Sequence, residues 1–129
     1  CLAVSDRHPL ARKKYVGPAD LQNASLLLLD EGHCLRDQAL EFCKRNSIDE
    51  SREFRATSLE TLIQMVATDL GITLVPEMAT RDAPTNLRFV PFRNPAPHRT
   101  IGLVWRRNTS QHDFFEQLGA LITQHRSGT

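Results

Sequence analysis

"SLLLLDEGHCLRDQALEFCKRN", residues 25–46, joins two different periodicities. Residues 26–29 are a run of leucines, the pattern of a central strand covered on both faces. "EGH" reads as a turn, and Leu35 to about Asn46 reads as a helix. Leu35, Ala39, Phe42 and Cys43 fall on one side of it, and Arg36, Asp37, Glu41 and Lys44 largely elsewhere. Strand, turn and helix in this order are the building unit of α/β layer folds. The same stretch holds Cys34 and Cys43. Nine helical steps of about 100° make about 900°, so two such side chains point to opposite faces, about 13 Å apart along the axis. A disulfide tolerates a Cα separation of about 7 Å at most. Helix and disulfide therefore exclude each other here.

The alternation continues on both sides. "CLAV" (1–4), "EFRATS" (53–58), "GITLVP" (71–76), "LRFVPF" (87–92) and "RTIGLVWRR" (99–107) read as strands. "ADLQ" (19–22) is a short helical turn. "SLETLIQMVATDLG" (58–71) is a helix with Ser58 as N-cap, Glu60 in the positive first turn and Gly71 as its stop. Leu59, Leu62, Ile63, Val66 and Leu70 form its apolar stripe. A last helix, "SQHDFFEQLGALITQH" (110–125), is capped by Ser110 and turns Phe114, Phe115, Leu118, Leu121 and Ile122 inward. The expected class is α/β, a mostly parallel sheet flanked by helices. "RNPAP" (93–97) is the best candidate for a crossing point between two parts.

Composition narrows the function. The chain has 129 residues, enough for one domain with a core of its own. The formal net charge is +1, from 16 basic and 15 acidic residues, which offers no electrostatic case for nucleic-acid binding. No apolar run approaches the roughly 20 residues of a membrane span. Three cysteines is an odd count. It argues against a secreted disulfide framework and fits a cytoplasmic location. The chain opens on Cys1 and runs directly into an apolar strand, which predicts a beginning inside a larger protein. No cofactor and no metal is expected.

"DEGHCLRDQALEFC", "FRATSLETL", "GITLVP" and "RTIGLVWR" follow one another in this order. Together they resemble the sensor half of the OxyR family, the peroxide-responsive branch of the LysR-type transcription regulators. "GHCLRDQ" with its C-x8-C spacing belongs to that branch; "RATSLETL" and "GITLVP" belong to LysR-type effector domains more widely. The resemblance implies one subdomain of an effector domain similar to periplasmic binding proteins. Residues 1–97 would be the second subdomain, and 98–129 a segment crossing back toward a first subdomain that lies outside this sequence. The implied partners are hydrogen peroxide, a second copy in a homodimer or homotetramer, and RNA polymerase in the full-length protein. DNA would be bound only through a winged helix-turn-helix outside this sequence. No membrane partner is implied.

The resemblance also assigns residues. Cys34 is the peroxide-reactive cysteine and Cys43 the resolving one. Cys34 follows the "EGH" turn at a helix start, where unpaired N–H groups and the dipole favour a thiolate. Its plainer role is a small buried hydrophobe. Cys43 beside Phe42 has the position of a core residue when reduced, and would reach Cys34 only after the helix melts. Closing a loop of about ten residues is worth roughly 2–3 kcal/mol, comparable to the packing lost from Leu35, Leu40 and Phe42. His33 is a candidate donor to sulfur or peroxide, against a turn histidine in water. Arg36 can steady a thiolate or pair with Asp37 or Glu41, against a plain surface arginine. Asp37 is the candidate cap of its own helix. Arg99 matches an arginine near the reactive site in the family. Thr57 and Ser58 match the turn that lines the effector cleft, against simple capping. Cys1 has no role in the resemblance. Two other classes compete: a small-molecule effector domain with incidental cysteines, and a thiol peroxidase, which is an enzyme needing a reductant for turnover.

Overall fold

Leu26–Leu29, strand β2, is buried along its whole length in the computed structural model, which describes residues 1–127, with the side chains of 51–53 and 126–127 excepted. Successive strand residues point to opposite faces. Leu26 and Leu28 therefore enter one core with Leu2, Val4, Val16, Ala39, Cys43 and Phe92. Leu27 and Leu29 enter the other with Ala3, Ala56, Leu62, Val66 and Val75. Helix α1 (Cys34–Asn46) covers the first face and α2 (Leu59–Ala67) the second.

The remaining strands are β1 (Leu2–Ser5), β3 (Glu50–Ala56), β4 (Thr73–Leu74) and β5 (Leu87–Val90). The β2–α1–β3 unit forms a parallel ladder, with Leu28 opposite Arg55 and Leu29 opposite Ala56. Leu26 bridges Ile72 in parallel, which joins β4 to the other edge of β2. β1 then lies between β4 and β5, antiparallel to both. The pairing is thus mixed, not mostly parallel as expected. β2 to β5 share a direction and β1 runs against them, so its two ladders are antiparallel. Alternation of strands and helices announces crossovers, but only one helix here returns the chain to a neighbouring strand. The partners of β1 come from about seventy residues away or more, a distance no local pattern encodes.

Several boundaries move. β3 begins at Glu50 and the strand expected over 71–76 shrinks to Thr73–Leu74. α2 stops at Ala67, where Thr68 caps it and Asp69 takes the left-handed conformation at φ 65°. Gly71 is therefore not the helix stop. It is needed for close approach instead: a Cβ there would lie 2.7 Å from the Ser25 carbonyl oxygen and 2.9 Å from Leu27 Cγ.

The chain divides into two units, Cys1–His98 and Arg99–Thr129. In the second, the expected strand over 99–107 is absent, because no neighbouring strand pairs with it among the described residues. Helix α3 spans His112–Ser127. Thr109, not Ser110, bonds its approach, Oγ1 accepting from the Gln111 N–H at 3.3 Å. Trp105 stacks on Phe115 with centroids 5.8 Å apart. The stripe expected to face inward is largely open, with Phe114, Leu121 and Ile122 exposed. Among the described residues no helix is long and apolar enough to cross a membrane.

Gly71→Ala should destabilise the fold by about 1–3 kcal/mol, because its methyl meets fixed backbone at Ser25. Denaturant midpoints check this; an unchanged midpoint would mean that the Ser25 loop yields freely.

Candidate functional site

Helix α1 starts at Cys34 itself. His33 is the N-cap, in extended conformation, and its side chain makes no cap hydrogen bond. Its carbonyl accepts from the Arg36 N–H at 2.9 Å, so the first turn closes just below the thiol. Cys34 is exposed, on the solvent side of that turn. Before it, Gly32 holds φ at +90°, a conformation that favours glycine. Asp37 is exposed in the first turn and also makes no side-chain cap bond. Its charge suits the helix start, but capping is not its role.

Cys43 lies two and a half turns further on and is buried, 4% exposed, against the Leu26/Leu28 face. All three cysteines are free thiols. With residues 34–46 continuously helical, Cys34 and Cys43 stand about 13 Å apart along the axis and cannot bond. Burial pushes the Cys43 thiol up to about 11 from an ordinary 9.0, and the nearby Glu50 carboxylate adds to the rise. The Cys43 carbonyl accepts the Ile48 N–H at 3.0 Å, past Ser47, whose φ of 53° ends the helix in a left-handed cap. Phe42 meets Phe92 edge-on, centroids 5.5 Å apart.

Arg36 departs most from expectation. It neither reaches the solvent nor pairs with Asp37 or Glu41; Glu41 pairs with Arg45 instead. Arg36 is 8% exposed. Its Nη1 donates to the Leu29 carbonyl at 3.0 Å, and its Nη2 lies 4.0 Å from Glu50 Oε2 on β3. The buried stripe of α1 is therefore Arg36, Ala39 and Cys43, with Leu35 and Phe42 at its margins. A guanidinium can occupy such a stripe only when its donors and charge are met inside. Glu50 was missed in the sequence. The available signal was spacing: Arg36 shares the i, i+3, i+7 face of Ala39 and Cys43, which calls for an acidic partner.

Thr57 and Ser58 form the turn from β3 into α2. Ser58 Oγ accepts from the Thr61 N–H at 3.1 Å, the capping bond expected. Glu60 is held below its ordinary value by its own backbone N–H and by the Ser58 hydroxyl. Thr57 is exposed beside it. Arg99 opens the second unit and is half-buried.

A strand, an exposed cysteine at a helix start and a second, buried cysteine on the same helix are now in place. The family model of the LysR substrate binding domain matches residues 1–127. The chain belongs to the LysR substrate-binding domain family. The DNA-binding transcriptional dual regulator OxyR of Escherichia coli K12 is 45% identical over 131 residues, covering 98% of this chain and 42% of that protein. The chain thus spans less than half the length of the curated relatives it matches. Crystal structures of the oxidized and reduced forms of OxyR superpose with TM-scores of 0.80 and 0.78, at 44% and 42% identity. They cover 98% and 94% of this chain, which spans 61% and 57% of theirs. Corynebacterium glutamicum OxyR, as a cysteine-to-serine mutant with hydrogen peroxide bound, gives 0.85 at 31% identity, over 98% of this chain and 42% of that one.

The raised Cys43 thiol has a consequence for LysR-type folding in this chain. Between an unfolded value near 9.0 and a folded value near 11, the folded state keeps a proton that the unfolded chain releases. Stability present below pH 9.0 is therefore lost as pH rises through about 11. Denaturation of the wild type and of Cys43→Ser across that window should show the steeper loss in the wild type. Parallel curves would mean that Cys43 is not held protonated.

Proposed function

We propose that this chain is the redox-sensing regulatory domain of a hydrogen-peroxide-responsive LysR-type transcription regulator. The observation that carries the reading is one helix with an exposed cysteine at its start and a buried one near its end, in a chain 45% identical to OxyR. Cys34 is the peroxide-reactive group. Its thiolate attacks one peroxide oxygen, the O–O bond breaks, and Cys34 sulfenic acid and hydroxide form. Cys43 is the resolving group. Its sulfur displaces the sulfenic oxygen as water, with the Cys43 proton, and leaves a Cys34–Cys43 disulfide. Sulfur is oxidised by two electrons per peroxide reduced.

Because the intact helix cannot accommodate that bond, closing it requires segment 33–46 to unwind. The redox state of two sulfurs is thereby converted into a change of shape. His33 is the neighbouring donor for the reacting sulfur, with Asp37 on the same turn, and Arg99 is the redox-supporting arginine that the family resemblance assigns. Arg36 supports the site from the interior. Thr57 and Ser58 line the effector cleft in this reading. Residues 1–97 act as the second subdomain of the regulatory domain, and 98–129 as the segment returning to the first. The domain works in the cytoplasm as a homodimer or homotetramer. DNA is reached through a winged helix-turn-helix elsewhere in the regulator, and RNA polymerase is the target of activation. Peroxide is a signal consumed once per oxidation, not a turned-over substrate, and no cofactor is required.

Stoichiometric peroxide should remove the Cys34 and Cys43 thiols together and yield one intrachain disulfide, read by mass spectrometry. Cys34→Ser should abolish the response. Cys43→Ser should stop at Cys34 sulfenic acid, trapped by a dimedone-type probe. Labelling of Cys43 in Cys34→Ser as strong as that of Cys34 in the wild type would reverse the assignment. Catalytic peroxide removal with a thiol reductase would replace the regulator with a peroxidase.

A further inference from the structure

Glu50 takes no part in the proposed cysteine chemistry, yet its position is unusual. Its Oε2 is buried and makes no hydrogen bond among the described residues. The charge nearest to it is the Arg36 guanidinium, 4.0 Å away. Arg36 is tied in turn to the Leu29 carbonyl at 3.0 Å. The two groups sit on the elements that a switch must separate, α1 and β3. Around Arg36 the lining is apolar, from Leu28, Leu29, Leu35, Ala39, Leu62 and Leu74, with Thr73 committing its hydroxyl to the Leu27 carbonyl; the Glu50 side chain is 28% exposed, with Oε2 on its buried side.

We infer that Glu50 is a positioning residue for the disulfide step: through Arg36 it clamps α1 onto β3 and keeps Cys43 from Cys34 until the clamp opens. This inference rests on the reading of Cys34 and Cys43 as a switch, and extends it to a residue outside the cysteine motif. Three observations support it. First, α1 is held more lightly than α2, with Leu35, Leu40 and Phe42 packed but only partly buried. Its fully buried residues besides Arg36 are Ala39 and Cys43, whereas α2 buries Leu62, Ile63, Val66 and Ala67. Second, a half-formed pair is worse than none. Withdrawing Arg36 leaves the buried Glu50 Oε2 with neither a hydrogen bond nor a nearby counter-charge, so the closed helix is favoured as long as both charges remain. Third, the Glu50 charge adds to the rise that burial imposes on the Cys43 thiol and so opposes its ionisation. One side chain thus restrains the helix and quiets the thiol that the helix carries. The left-handed residues Gly32 and Ser47 bracket the segment that the clamp secures.

The clamp and the switch can be tested separately in the full chain. Alkylation of Cys43 in a Cys34→Ser background reports access to Cys43 without peroxide. Conversion of Cys34 sulfenic acid to disulfide reports the redox step. Glu50→Gln should raise Cys43 alkylation at about pH 8 several-fold, because it removes both the restraint on α1 and the charge that adds to the rise of the thiol. It should also speed disulfide formation several-fold, while sulfenic acid formation on Cys34 stays unchanged. The apolar pair Arg36→Met with Glu50→Leu should bring disulfide formation back to within about twofold of wild type, since matched apolar groups need no counter-ion. A Cys43 equally protected in Glu50→Gln and wild type overturns the clamp. So does a pair variant that forms the disulfide as fast as the single ones. A wild type whose Cys34 peroxide never oxidises would remove the switch reading, and the alkylation comparison would still decide the clamp.

Discussion

The burial of Leu26–Leu29 on both faces is the constraint from which the rest of the first unit follows. A strand without a solvent side needs a layer above it and a layer below. α1 supplies one and α2 the other, and each takes alternate leucines. The strand also needs a partner at each edge. β3 returns in parallel after α1, and residue 72 comes alongside from beyond α2. That second approach leaves no room for a Cβ at Gly71, so a glycine is required where the backbone of one strand meets the start of another.

The two covering helices are not held alike. α2 is an ordinary amphipathic helix with four buried apolar side chains. Burying a Leu, Ile or Val contributes about 1.5–3 kcal/mol each. α1 buries an alanine, a thiol and an arginine on the same kind of surface, and its larger apolar side chains, Leu35, Leu40 and Phe42, are only partly buried. Small side chains contribute less, and the arginine is tolerated only because Leu29 and Glu50 receive it. A helix secured by polar contacts and light packing can be exchanged for another conformation at modest cost. In the proposed switch this is the useful property, since the disulfide competing with the helix is itself worth only about 3 kcal/mol. In that proposal the chemistry is divided along the same helix: the exposed Cys34 thiol would meet the oxidant, and the buried Cys43 thiol, raised by burial, would react only once released.

Local sequence determined a large part of this. The apolar run, the turn at "EGH" and the helical spacing identified β2 and α1 nearly to the residue, because each is decided by periodicity within a dozen positions. The incompatibility of Cys34 and Cys43 with a bond across an intact helix also followed from spacing alone, as did the capping of α2 by Ser58. Tertiary structure decided what depends on distant partners. Whether 99–107 is a strand depends on another strand beside it, and none pairs there among the described residues. The direction of β1 depends on β4 and β5, met only after the chain has crossed the domain. Arg36 looked like a surface residue because its charge argues for water. It lies inside because Glu50 and the Leu29 carbonyl, remote in the helical pattern, meet it there, and an ion enters a protein interior only where its counter-charge is already in place.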